Sequence, residues 1–325
     1  MIGILDTVGE RVSIAGELGW VHELIVEGAA GELRPADQRS RASVHVRVES
    51  SSSAFDTHGW EVLTRGAWRR NGEAVVENIC TAGFDLHLRC SPLGAEFTYR
   101  WRPPARDRAA ARILRSRFHL LARSVLLQYP AFWWAGTRGR VPLHASACVA
   151  AGSTPMLTAP SGIGRSTVVL GEIAAGGRVT GDNLSAGDGK ALWGLVEPLR
   201  VEGGNGRRMP HGRNEMPMPN RLSSVVPDAL VVLARGDSER ASLVRCDSDA
   251  ARRSLVTSTY MAGELRRYWQ FAATLSAATG VGPAHPSVAD VALTFAQSLP
   301  CFSLTLGHTP GASLTELLST VEVAA

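Results

Sequence analysis

At 325 residues, with 45% apolar and 20% charged side chains, the chain is too hydrophobic to be disordered, and its length favours two domains. A net charge of +4 and a pI near 9.0 suit an anionic ligand or partner, yet no nucleic-acid motif accompanies them. The five cysteines, an odd number without a C-x-x-C pair, signal neither a disulfide framework nor a zinc site and point to reduced, cytoplasmic thiols.

The N-terminus carries Asp6 and Glu10 early and does not read as a signal peptide. No apolar run approaches the roughly 20 residues a membrane helix needs, so no membrane partner is expected. Residues 1–104 read as a mainly antiparallel β domain, a meander or small sandwich that binds substrate or partner. Val44, Val46 and Val48 alternate with polar residues, as do Phe84, Leu86 and Leu88, and then Phe97, Tyr99 and Trp101. Asn71-Gly72 suits a hairpin turn because both residues tolerate positive φ. GELRPADQ at 31–38 and the serine run at 50–53 read as loops.

After Pro103-Pro104 the period changes. Residues 105–139 read as a connecting amphipathic helix, with Leu114, Phe118, Leu121 and Val125 on one face. Arg108, Arg112, Arg115, His119 and Arg123 lie on another. That basic face is either a solvated flank or a docking surface for an acidic peptide.

From residue 140 to 325 strands alternate with helices, the order of an α/β domain (α+β for the whole chain) with a substantial sheet. Helices are expected from Ser166, around 262–279 with Gly280 as cap, and around 287–299. Packing explains most of the eight tryptophans, including Trp133-Trp134.

Within this domain TAPSGIGRST, residues 158–167, is close to the G-x-x-x-x-G-K-[ST] phosphate loop, with Ala159 in place of the first glycine and Arg165 in place of the lysine. It lies between a strand and a helix, where backbone amides from Gly162 to Ser166 present donors to a phosphate. Arg165 keeps the charge, but its fork is longer and bulkier than an ammonium. A glycine-rich structural turn is the plain alternative.

The segment from LHASACVAAG through APSGIGRST to AAGGRVTGDN resembles the catalytic core of the HPr kinase/phosphorylase family, over roughly residues 140–235. That family has a strand-end His, a GxSGxGKS loop and an ADD motif. His144 matches the His, Ser161, Gly162, Ile163, Gly164, Arg165 and Ser166 match most of the loop, and Asp182 matches the first Asp; Asn183 replaces the second. The resemblance implies a P-loop domain related to phosphoenolpyruvate carboxykinases, ATP and Mg²⁺ as cofactors, and homo-oligomeric assembly. The chain looks more like the family's divergent relatives, which include kinases of peptide natural-product pathways that phosphorylate a serine of a precursor peptide.

On that resemblance the loop residues through Thr167 hold the triphosphate, Ser166 contacts Mg²⁺, and Asp182 accepts the proton of the attacking hydroxyl; His144 lies near the phosphates. For Asp182 the alternative is an Asx-type turn, and for His144 a satisfied strand-end histidine. Glu202, or Glu197, is the candidate for a second Mg²⁺ contact, and either also suits an exposed strand edge. Arg207, Arg208, His211 and Arg213 lie in a glycine-rich stretch that either closes on phosphate or is a solvated loop. The expected function is ATP-dependent phosphoryl transfer to a hydroxyl of a peptide, protein or small molecule. The rival is a pseudokinase scaffold, motivated by Ala159, Arg165 and Asn183; a phosphorylase or nucleotidyl transferase on the same fold is a third reading.

Overall fold

The computed structural model describes residues 2–35, 41–149, 152–203, 209, 212–308, 314 and 316–318. The chain forms two compact units. The first comprises Met1–Gly139, Val196–Pro217 and Arg266–Pro286, and the second Arg140–Leu195, Met218–Leu265 and Ser287–Ala325. The contiguous division at 104 and 139 therefore does not capture two later segments that rejoin the first unit.

The first unit is built on one sheet of eight strands: β1 (Gly3–Thr7), β2 (Glu10–Gly16), β3 (Val44–Glu49), β4 (Glu61–Thr64), β5 (Ala67–Arg70), β6 (Glu73–Val76), β7 (Phe84–Ser91) and β8 (Gly94–Trp101). Their order is β1-β2-β3-β8-β7-β6-β5-β4. The pairings β2–β3 and β3–β8 are parallel and the rest antiparallel, so the sheet is mixed, with antiparallel pairs dominant. Val44, Val46 and Val48 are buried while His45 and Arg47 face out, as the alternation predicts. Asn71 and Gly72 form the β5–β6 turn with φ of 48° and 79°. Parallel pairing of β2 and β3 requires a crossover, supplied by α1 (Gly19–Gly28). Sequence reading missed this helix, although its buried Val21, Leu24, Ile25 and Gly28 follow helical spacing.

The expected single helix after Pro104 is broken. α2 (Ala105–Ile113) and α3 (Arg115–Arg123) meet at Leu114, whose φ of −102° and ψ of 47° are not helical; a π-helical turn, Ser124–Gln128, then leads into α4 (Tyr129–Gly136). Leu114 is consequently exposed, whereas Val125 is buried. Arg123 is also not on a solvated flank. It is buried and forms a two-pronged pair, at 2.8 and 2.7 Å, with Glu215 in the hairpin β15 (Leu199–Val201) and β16 (Asn214–Met216). Gly28 makes room for its stem, because a Cβ there would lie 2.6 Å from Arg123 Cδ. A buried guanidinium is tolerated when a carboxylate meets it in this geometry. α7 (Tyr268–Thr279) completes the unit, capped by left-handed Gly280 as the sequence suggests.

The second unit has a six-stranded sheet ordered β12 (Arg178–Val179), β10 (Ala145–Val149), β11 (Pro155–Thr158), β18 (Ala229–Arg235), β20 (Cys301–Leu306) and β19 (Ser242–Arg245). Its centre, β11–β18–β20, is parallel. A smaller antiparallel sheet is ordered β17 (Ser224–Val225), β14 (Leu192–Gly194), β13 (Ser185–Gly187) and β9 (Val141–Leu143). The helices are α5 (Arg165–Ala174), α6 (Ser248–Met261) and α8 (Val288–Ser298). α6 was not foreseen. Asp247 caps it by accepting from the Ala250 amide at 3.0 Å, and Ala251 and Leu255 bury one face. The helix expected from 262 begins at Tyr268, after a 3₁₀ turn at Gly263–Leu265. The expected α/β class holds. No described helix is long and apolar enough to cross a membrane.

Candidate functional site

β11 ends at Thr158 beside parallel β18, and the chain turns through residues 159–164 into α5. Carboxyl ends of parallel strands are where such sheets bind ligands. Gly162 and Gly164 have φ of 86° and 126°, so the turn depends on residues without a Cβ. Ala159 is fully buried at the strand end. The Gly164 carbonyl receives the amides of Thr167 and Val168, at 3.0 and 3.1 Å, which starts the helix. Among the described residues, the amides of Ser161, Gly162, Gly164 and Ser166 find no acceptor in the protein. Pro160 to Gly162 are exposed, and a Cβ on Gly162 would meet nothing within 4 Å. The loop thus offers open donors at the positive end of a ten-residue helix, the chemistry of an anion site. Arg235, the last residue of β18, donates from Nε to the Ile163 carbonyl at 3.0 Å and steadies the loop. Sequence reading missed Arg235; its only signal was its place at the end of the DALVVLAR strand.

Arg165 has a different environment from a phosphate-loop cation. It is 7% exposed, and its guanidinium donates to the carbonyls of His144 (2.6 Å), Asp182 (3.3 Å) and Asn183 (2.9 Å) and to Asn183 Oδ1 (2.9 Å). A planar fork suits this ring of oxygens in a way an ammonium does not. The side chain ties together the starts of β10 and of the segment leading into β13. Lys190 is the only lysine of the chain.

Asn183 Oδ1 also lies 2.9 Å from His144 Nε2. Because that oxygen already accepts from Arg165, Nε2 carries the imidazole proton and donates to it. His144 is 3% exposed, and Nδ1 is buried without a hydrogen bond. Burial, and next the Arg165 charge, push its pKa down to about 3; the Glu264 charge, the Asn183 hydrogen bond and the Ala159 main chain act the other way and lose. The imidazole is neutral in the folded protein. Its folded pKa lies below the ordinary 6.5, so its contribution to stability is present above about pH 6.5 and is lost as pH falls toward 3. Denaturant titrations from pH 7 to 4 should show a slope of up to about 1.4 kcal/mol per pH unit that His144→Gln removes. An unchanged slope in the variant rejects this assignment.

Asp182 is 1% exposed, and neither carboxylate oxygen has a hydrogen-bond partner. Its main-chain oxygen accepts from Ser146 Oγ at 3.0 Å and from Arg165 Nε at 3.3 Å. The structure thus gathers His144, Arg165, Asp182 and Asn183 at the junction of loop and helix. Glu197 and Glu202 belong to the first compact unit. Glu197 is buried, 3.9 Å from Arg200, while the Glu202 side chain is 87% exposed, 3.7 Å from Arg213. Arg207, Arg208 and His211 lie outside the described residues. Among the described residues, no cluster of three or more His, Cys, Asp or Glu is arranged to hold a metal ion.

These residues fit the phosphate end of a nucleotide, through free amides and the half-buried Ser166. Asp182 is a carboxylate still lacking a counterpart. What they do not supply is a cation from Arg165. No family model and no curated protein sequence matches the chain.

Proposed function

We propose that the second unit binds ATP through the 159–164 loop and transfers its γ-phosphoryl group to a hydroxyl of a peptide, protein or small molecule. The observation that carries this reading is the buried Asp182 carboxylate without a hydrogen bond beside a loop whose amides are open. A buried unpaired carboxylate is costly, and such costs collect where a fold is built for chemistry. The ordered resemblance of His144, the loop and Asp182 to the HPr kinase/phosphorylase family supports the same reading.

On this reading the amides of Gly162, Gly164 and Ser166 cradle the phosphates, and Ser166 Oγ is the metal contact. Bound Mg²⁺ supplies charge neutralisation for the leaving ADP. Asp182 takes the proton of the acceptor hydroxyl as its oxygen attacks phosphorus. His144 is neutral and orients Asn183.

A second reading, nucleotide binding without turnover, is favoured by one observation: Arg165 is engaged by four protein oxygens. Calorimetric titration with ATP and ADP, with and without Mg²⁺, tests both readings. Saturable binding should weaken at least tenfold in Ser166→Ala. Binding without ADP production in the presence of acceptor hydroxyls selects the second reading, and no binding at millimolar nucleotide rejects both.

A further inference from the structure

The chain's positive charge is concentrated in one short stretch. Residues 105–117 carry five arginines against Asp107, a surplus of four that equals the formal net charge of the whole protein, so the remaining residues balance. Asp107 is also drawn aside: its carboxylate accepts from Asn78 Nδ2 at 3.0 Å and lies 3.4 Å from Arg106. Among the described residues Arg108, Arg112, Arg115 and Arg117 make no ion pair.

The helix bearing this charge lacks the usual reason to exist. No residue of α2 is buried. A nine-residue helix is below the roughly 12–15 residues at which isolated helices become even marginal in water. Three consecutive alanines and a first-turn Asp107 favour it locally, but Arg108 and Arg112, one turn apart, repel each other. At its end Ile113 and Leu114 stand 80% and 47% exposed, because the break at Leu114 turns them off the core face. Exposed aliphatic side chains beside unpaired arginines describe half of an interface.

From this charge complementarity we propose that α2 and the first turn of α3 are a docking surface for an acidic peptide segment with an aliphatic anchor. Carboxylates of the partner meet Arg108, Arg112 and Arg115, and the anchor covers Ile113 and Leu114. A lipid bilayer is a poorer fit, since Ile113 and Leu114 are the two bulky apolar side chains exposed on this stretch, and its one aromatic residue, Phe118, is half-buried against Trp20 and Trp101. This inference is independent of whether the loop binds nucleotide.

The test is fluorescence anisotropy of the full chain at 150 mM salt with a labelled 16-residue peptide of glutamates with leucine at every fourth position. Saturable binding is expected, weakening as salt rises. Arg108→Glu with Arg112→Glu should weaken it tenfold or more. Arg240→Glu with Arg253→Glu, the same charge change at exposed positions elsewhere, should shift it less than twofold. Ile113→Ser should weaken the leucine-containing peptide and leave an all-glutamate peptide unchanged. The proposal is overturned by absence of binding at 150 mM salt or by equal losses in the two double variants. It is also overturned if duplex DNA or phosphatidylserine vesicles bind more tightly than the peptide.

Discussion

Arg165→Met should lower the free energy of unfolding by about 3–5 kcal/mol, the range found when one partner of a buried charged network is removed. Methionine keeps much of the stem's bulk and removes every donor. Main-chain oxygens of His144, Asp182 and Asn183, together with Asn183 Oδ1, would then lose their Arg165 bonds in a buried region. Arg165→Lys should fall between, at roughly 1–3 kcal/mol, because an ammonium brings three donors but not the planar fork. Urea denaturation of the three proteins measures this directly. If Arg165 instead served phosphate, the lysine variant would match the parent in stability and gain phosphoryl transfer. A methionine variant within about 0.5 kcal/mol of the parent would sink the structural role.

The loop shows what a sequence does and does not disclose. Strand, glycine turn and helix were legible in TAPSGIGRST because Gly162 and Gly164 are needed for their backbone angles, which is a local property. The direction of Arg165 was not legible, since it is set by carbonyls 17 to 21 residues away in the chain. The same division runs through the fold. Val44, Val46 and Val48 and the Asn71-Gly72 turn follow from nearest neighbours. Arg123 joins Glu215 across 92 residues, and no helical periodicity of its own segment could reveal that partner. α1 was overlooked for a different reason: it is a ten-residue crossover inside a stretch dominated by strand alternation, and its apolar stripe is short. Asp182 is a candidate base by its place in the sequence, but its lack of a hydrogen bond is a tertiary fact. So is the exposure of Ile113, which follows from the break one residue later.

That missing hydrogen bond makes Asp182→Asn the sharpest separation of function from stability. Replacing the carboxyl group with an isosteric amide removes a buried acidic group that no hydrogen bond supports, and the variant should be more stable than the parent by about 1–2 kcal/mol. Under the proposed function it should also lose phosphoryl transfer by a factor on the order of 10³ while nucleotide binding changes little, because the base acts on the acceptor hydroxyl and not on the loop amides. A merely structural aspartate at a turn would behave the opposite way: its replacement would cost stability and leave transfer and binding alike. Thermal unfolding, calorimetry with ATP and a γ-phosphoryl transfer assay on the same two proteins give all three quantities. Greater stability with lost transfer supports a carboxylate held in place for chemistry. Greater stability where the parent itself shows binding and no transfer identifies a fold that retains the strain of a catalytic site and uses it only to hold nucleotide.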